Sequence, residues 1–124
     1  MSTNLNRVIV SVTDLASSQA FYVDLLGFAH VATQGDMSIL RISAGLDLNL
    51  HQRPTTISDA AVALSFAVDD VDGVCASWAQ ACGVIIDEPD EQPWGERMAV
   101  VRDPDGHIVC LVQRRDRRFS PEQP

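Results

Sequence analysis

Cys110, His51, Asp47, Asn49, Arg7, Ser65, Glu96 and Trp94 carry the chemistry this chain has to offer. Cys110 is the candidate nucleophile, and a thiol needs a nearby base or positive charge to become a thiolate; His51 or Arg7 would supply it. His51 can act as acid or base, against the plainer reading of a solvated strand end. Asp47 and Asn49 offer oxygen ligands. Arg7 can pair with a ligand carboxylate or with Asp47. Trp94, between Pro93 and Gly95, offers a flat loop aromatic for a planar ligand, or else plugs a sheet edge or a subunit interface. Glu96 can recruit a cation or simply face solvent. These residues give a ligand-binding set of Trp94, Arg7, Asp47, Asn49, Ser65, Glu96 and Cys110, and no catalytic residue is assigned.

The elements that must position them come in two copies. VIVSVTDLASSQAFYVDLLGF and VALSFAVDDVDGVCASWAQACGV each read as a strand, an aspartate turn, an amphipathic helix and a glycine stop, with Asp14 matching Asp69 and Gly27 matching Gly83. Val8, Val10 and Val12 share one face of a strand over 7–13. Asp14 or Ser17 caps the next helix, on which Phe21 and Leu25 stack. Strands follow over 28–34, 37–42 and 46–51. In the second copy Leu64, Phe66 and Val68 are the covered face of a strand. Asp69 or Asp70 then caps a helix with apolar positions 71, 74, 75, 78 and 82, and Gly83 ends it. Strands over 84–87, 97–102 and 107–113 complete the copy, the last two joined by the turn Asp103-Pro104-Asp105-Gly106.

The fold expected is α+β: paired β-α-β-β-β modules forming curved mixed sheets around a cleft. The modules span 5–51 and 61–113, with a connector over 52–60 and a polar tail over 114–124, all in one domain covering 1–124. Alternation puts Arg7, Ile9 and Ser11, then Asp47, Asn49 and His51, on the faces away from the helices. Ala63, Ser65 and Ala67, with Ile108, Cys110 and Val112, do the same in the second module. His107 has the opposite parity to Cys110, so it is expected off that surface, and His30 is expected at the periphery.

A chain of 124 residues buries roughly two-thirds of its extended surface on folding. It shows no secretory signal and no membrane-spanning run, so the cytoplasm is the default. An odd count of three cysteines without a close Cys-x-x-Cys argues against disulfides or a zinc knuckle, and Cys75 and Cys82 read as small core hydrophobes. Residues 1 to 112 carry 15 acidic side chains against five arginines, a net of −10. Such a body repels nucleic acid and favours cationic small molecules. Arg114, Arg115, Arg117 and Arg118 crowd a tail expected to fray into solvent.

The segments V-x-D-L-x-x-S-x-x-F-Y-x-x-x-L-G-F over 12–28, F-x-V-x-D-V over 66–71, and E-Q-P-W-G-E-R with V-R-D-P-D-G-H over 91–107 together resemble the glyoxalase, bleomycin-resistance and extradiol-dioxygenase superfamily, the vicinal oxygen chelate fold. Its enzymes hold a divalent metal with His and Glu side chains. Carried over by position, those ligands fall on Arg7, Ala63 and Cys110, with Asp47 or Asn49 alone keeping an oxygen. The resemblance therefore implies no metal and no cofactor, and it is nearest to the metal-free bleomycin-binding branch, whose members are small acidic homodimers. The expected function is metal-independent binding of a small organic ligand, in its sharpest form sequestration of a cationic bleomycin-like antibiotic. The expected partners are that small molecule and a second copy of the chain, with no nucleic acid and no membrane. The alternative is a divalent-metal-dependent glyoxalase-like lyase, isomerase or dioxygenase with a non-standard site, for which Asp47, His51 and Cys110 are the assembly at hand.

Overall fold

The computed structural model describes residues 5–57 and 62–114, so the tail beyond Arg114 and part of the expected connector lie outside the described residues. The chain divides into two compact units, Met1–Ile57 and Ser58–Pro124. In the first, β1 (Arg7–Val12) leads to helix α1, which is α-helical over Leu15–Gln19 and π-helical over Ala20–Leu25, then to β2 (Ala29–Gln34), β3 (Met37–Ser43) and β4 (Leu46–Gln52). In the second, β5 (Leu64–Val68) and α2 (Val71–Gln80) precede β6 (Ile85–Glu91), β7 (Arg97–Arg102) and β8 (Ile108–Gln113). Each unit forms one four-stranded mixed sheet, ordered β1-β4-β3-β2 and β5-β8-β7-β6. Among the described residues only the β1–β4 and β5–β8 pairs are parallel, each connected through its unit's helix and two further strands, a crossover long enough for parallel pairing.

The expectation of curved sheets is corrected. Each sheet is an open ladder with two edges, neither closed nor strongly curled. Four strands are too few to close, and the register shifts in the strand pairs affect only outer ladders and one strand end, between His30 and Ala32, Arg41 and Ser43, and within β6. Among the described residues, no helix is long and apolar enough to cross a membrane.

Each helix covers one sheet face. In the first unit Val12, Leu40, Leu48 and Leu50 are fully buried on that face with Phe21 and Tyr22. The two rings meet edge to face at 4.8 Å. The wider π turn allows these sequence neighbours to share the core, so Phe21 packs on Tyr22, while Leu25 stays half-buried. In the second unit Val71 and Cys75 cover Ala99, Val101, Val109 and Leu111. Each fully buried aliphatic side chain of this size contributes roughly 1.5–3 kcal/mol.

The repeat is sharper in three dimensions than in the letters. Asp14 Oδ2 accepts from the Ser17 N–H, and Asp70 Oδ1 accepts from the Gly73 N–H, so Asp14 corresponds to Asp70 rather than Asp69. Gln52 Oε1 accepts from Leu15 N–H and Gln113 Oε1 from Val71 N–H, both at 2.9 Å. Each brace ties the strand end to an orphan donor in the helix's first turn. The Ser17 hydroxyl is the main cause that holds the Asp14 carboxyl below its ordinary range.

The helix ends differ. Gly27 takes the left-handed conformation after α1, but after α2 Cys82 takes it, with φ 66°, and is exposed rather than part of the core. Cys82 N–H bonds to Ala79 C=O and Gly83 N–H to Trp78 C=O, which closes a Schellman cap. Gly83 is there for space, because the Trp78 indole lies against its Cα.

Candidate functional site

Strand alternation sets two open faces, one per unit. In the first, Ile9, Asn49 and Ile39 lie side by side across β1, β4 and β3. Asn49 is 6% exposed, and its Oδ1 has no hydrogen-bond partner. Asp47 is ion-paired with Arg41 across the β3–β4 ladder, not with Arg7, which is exposed. His51 is half-buried at the end of the same face.

In the second unit Ser65, Cys110, Val100 and Asp87 line up across all four strands. Burial, and then the negative charge of Asp87, push the Cys110 thiol above its ordinary pKa. The neighbour that shapes it has the wrong sign to make a thiolate, and Cys110 is not an activated nucleophile. A thiol reagent at neutral pH is expected to modify exposed Cys82 first, while Cys75 and Cys110 react only on unfolding or above the ordinary thiol range. Labelling followed by peptide mass mapping checks this, and Asp87→Asn is expected to lower the pH at which Cys110 reacts.

Beside this row the β6–β7 hairpin encloses a groove of about 680 Å³, lined by Ile86 to Asp90, Gln92, Trp94, Met98 and Val100. Trp94 is 62% exposed, and its indole Nε1 donates to Glu96 Oε1 at 2.6 Å. Of the expected ligand set, the second unit thus groups Trp94 with Glu96 at the groove and places Ser65 beside Cys110. The first unit groups Arg7, Asp47 and Asn49 on its own sheet.

A third constellation sits on the β7–β8 turn. Ligand atoms of Asp103, Asp105 and His107 all lie within 4.8 Å of one another. Asp103 is 4% exposed, and its Oδ1 accepts from the N–H groups of Asp105 and His107, both at 2.9 Å. The turn is closed by Gly106 N–H to Asp103 C=O and Asp103 N–H to His107 C=O, with Gly106 at φ 90°. The Arg102 guanidinium donates to Gly106 C=O at 2.7 Å. Sequence reasoning took D-P-D-G only as a turn and judged His107 by strand parity. The available signal was the spacing itself, two aspartates and a histidine in alternate positions of a five-residue turn.

Two donor sets can therefore be compared as metal sites. The positions carried over from the enzymes do not fit, since Arg7 is a cation, Ala63 has no donor, Asp47 is engaged by Arg41, and burial and Asp87 disfavour the Cys110 thiolate. The turn set does fit in kind: two carboxylates and an imidazole match what a divalent ion takes from three protein ligands. The expectation of metal-independent binding is corrected here, because the folded turn assembles the metal-ligating trio that strand positions lack.

Fold and site together define a two-module β-α-β-β-β protein with open sheet faces and a candidate divalent site. The profile of the Glyoxalase/Bleomycin resistance protein/Dioxygenase superfamily matches residues 4–111, and the chain belongs to that superfamily. It is 29% identical over 123 residues to Virulence protein STM3117 of Salmonella typhimurium, covering 88% of this chain and 83% of that one. Among solved structures, TnmS3, an antibiotic binding protein from Streptomyces sp. CB03234, superposes with a TM-score of 0.70 at 28% identity, over 92% of this chain and 98% of that one. A glyoxalase-related enzyme from Fulvimarina pelagi shares the fold, with a TM-score of 0.77 at 22% identity, over 91% of this chain and 89% of that one.

Proposed function

We propose that this chain is a divalent-metal-dependent enzyme of the glyoxalase-like lyase, isomerase or dioxygenase kind, with its metal on the β7–β8 turn. The observation that carries this reading is the convergence of Asp103, Asp105 and His107 within 4.8 Å. A metal bound there would supply Lewis acidity to a substrate oxygen. The chain's own contribution is to hold the ligands. Asp103 is pinned by two backbone N–H groups, and the turn backbone places Asp105 and His107 beside it.

Within the superfamily, E-Q-P-W-G-E-R and the likeness to an antibiotic binding protein support kinship with the bleomycin-binding branch. From that branch we carry over a small organic ligand and a homodimer, and leave metal independence behind. Three free cysteines support a reducing, cytoplasmic setting.

The test is metal uptake by stripped, dialysed protein, offered Zn²⁺ or Mn²⁺ and followed by calorimetry and elemental analysis. Stoichiometric uptake is expected, weakened at least about tenfold in Asp105→Asn and again in His107→Gln. No stoichiometric uptake, or equal uptake by both variants and the parent, would sink the reading. Sedimentation of the same samples is expected to show a dimer.

A further inference from the structure

We infer that Arg102 is a positioning residue for the three candidate ligands on the β7–β8 turn, acting through the Gly106–His107 peptide unit. It rests on the enzyme reading for the metal but not for the turn geometry.

Arg102 ends β7 and faces Ile108 across the last rung of the β7–β8 ladder, so its side chain starts where the turn starts. Its backbone is held at both polar groups. The N–H donates to Val84 C=O at 3.0 Å, and the C=O accepts from the Trp78 indole N–H at 2.9 Å. The guanidinium of this half-buried residue therefore reaches out from a fixed base, and its Nη1 donates to Gly106 C=O at 2.7 Å. That carbonyl shares one rigid plane with the His107 N–H. The N–H in turn donates to Asp103 Oδ1 at 2.9 Å. One peptide unit thus joins Arg102 to Asp103, and the same plane carries the Cα of His107. Tilting it moves two of the three ligands together.

Asp105 is tied in from the other side, since its N–H donates to the same Oδ1. Gly106, at φ 90°, restrains the plane little by itself, because glycine takes positive and negative φ about equally. The outside bond from Arg102 therefore matters here. It is charge-assisted, hence the stronger kind, and it polarises the peptide so that the His107 N–H becomes a better donor. A guanidinium this close to the turn has two opposing effects on a metal ion. Its charge repels the ion through space, but salt and solvent screen that repulsion at a half-buried turn. Through the peptide it orders the ligands, and losing an outer partner of a metal ligand weakens metal binding roughly 10–100-fold. Positioning outweighs repulsion, so removing the cation is expected to weaken metal binding rather than tighten it.

The test compares Arg102→Met, which removes donor and charge, with Arg102→Lys, which keeps both, using Co²⁺ as the probe. Arg102→Met is expected to bind Co²⁺ about tenfold more weakly than the parent and to shift the visible absorption of the bound ion, while Arg102→Lys recovers affinity to within about threefold. Arg97→Met removes a cation of the same strand, one that is paired with Asp72, and is expected to bind as the parent does. A second measurement needs no metal. Exchange of the His107 N–H with solvent, followed by NMR on stripped protein, is expected to be about tenfold faster in Arg102→Met, with the α2 amides unchanged. Co²⁺ binding by Arg102→Met as tight as the parent's or tighter, an equal loss in Arg97→Met, or unchanged exchange at His107 would overturn the assignment. A parent that takes up no Co²⁺ removes the enzyme reading alone, and the exchange rate then decides whether Arg102 holds the turn.

Discussion

Asp103→Ala is expected to lower stability by about 2–4 kcal/mol, while Asp103→Asn costs much less. The side chain is almost completely buried, and its Oδ1 is the acceptor for two backbone N–H groups in the turn. Alanine removes that acceptor and leaves donors to find water in a half-buried turn. Asparagine keeps an oxygen in the same place, so the turn survives, but it lacks the charge a divalent ion needs. The pair separates structure from function: urea melts should distinguish Ala from the parent, and metal titrations should distinguish Asn from it. If Asn melts like Ala, the charge rather than the acceptor holds the turn. If Asn binds metal like the parent, Asp103 is not a ligand.

Gly83→Ala is expected to destabilise by about 1–3 kcal/mol, with Cys82→Gly acting in the opposite direction by roughly 0.5–1 kcal/mol. An added Cβ at Gly83 would lie 2.1 Å from the Trp78 ring atoms Cδ2 and Cε2. The indole is not free to swing away, since its Nε1 donates to Arg102 C=O at 2.9 Å. Either α2 shifts off the sheet or the indole gives up that bond, and a change in tryptophan emission should accompany the lowered melting temperature. At Cys82 the cost is in the backbone, which is left-handed at φ 66° without glycine's freedom. Thermal melts of the two variants should move in opposite directions. A neutral Gly83→Ala would show that the indole is not packed as described.

The first argument rests on bonds within one turn and the second on a contact between distant parts of the chain, Trp78 with Arg102, whereas the face pattern needed neither. Val12, Leu48 and Leu50 are buried while Arg7 and Ile9 are exposed, as alternation requires. The same rule correctly put Val109 and Leu111 under α2 and Cys110 on the open side. The start of the second helix was legible to within one residue and that of the first to within three, Asp14 or Ser17, of which Asp14 is the cap. The choice between Asp69 and Asp70 was not legible, since both fit the composition, and only the geometry at Gly73 selects Asp70.

Local periodicity is a property of the backbone, so the sequence by itself determined the repeated β-α-β-β-β order, the inward and outward sides of the strands and the superfamily. Partner choice and convergence depend on register and turn geometry. Only the tertiary structure decided that Arg41 rather than Arg7 takes Asp47, that Gly83 makes room for an indole while Cys82 bears the positive φ, and that the sheets stay open. It also brought together a candidate metal-ligating trio. Asp103, Asp105 and His107 sit where strand parity no longer applies, and a tight turn brings alternate residues to one side.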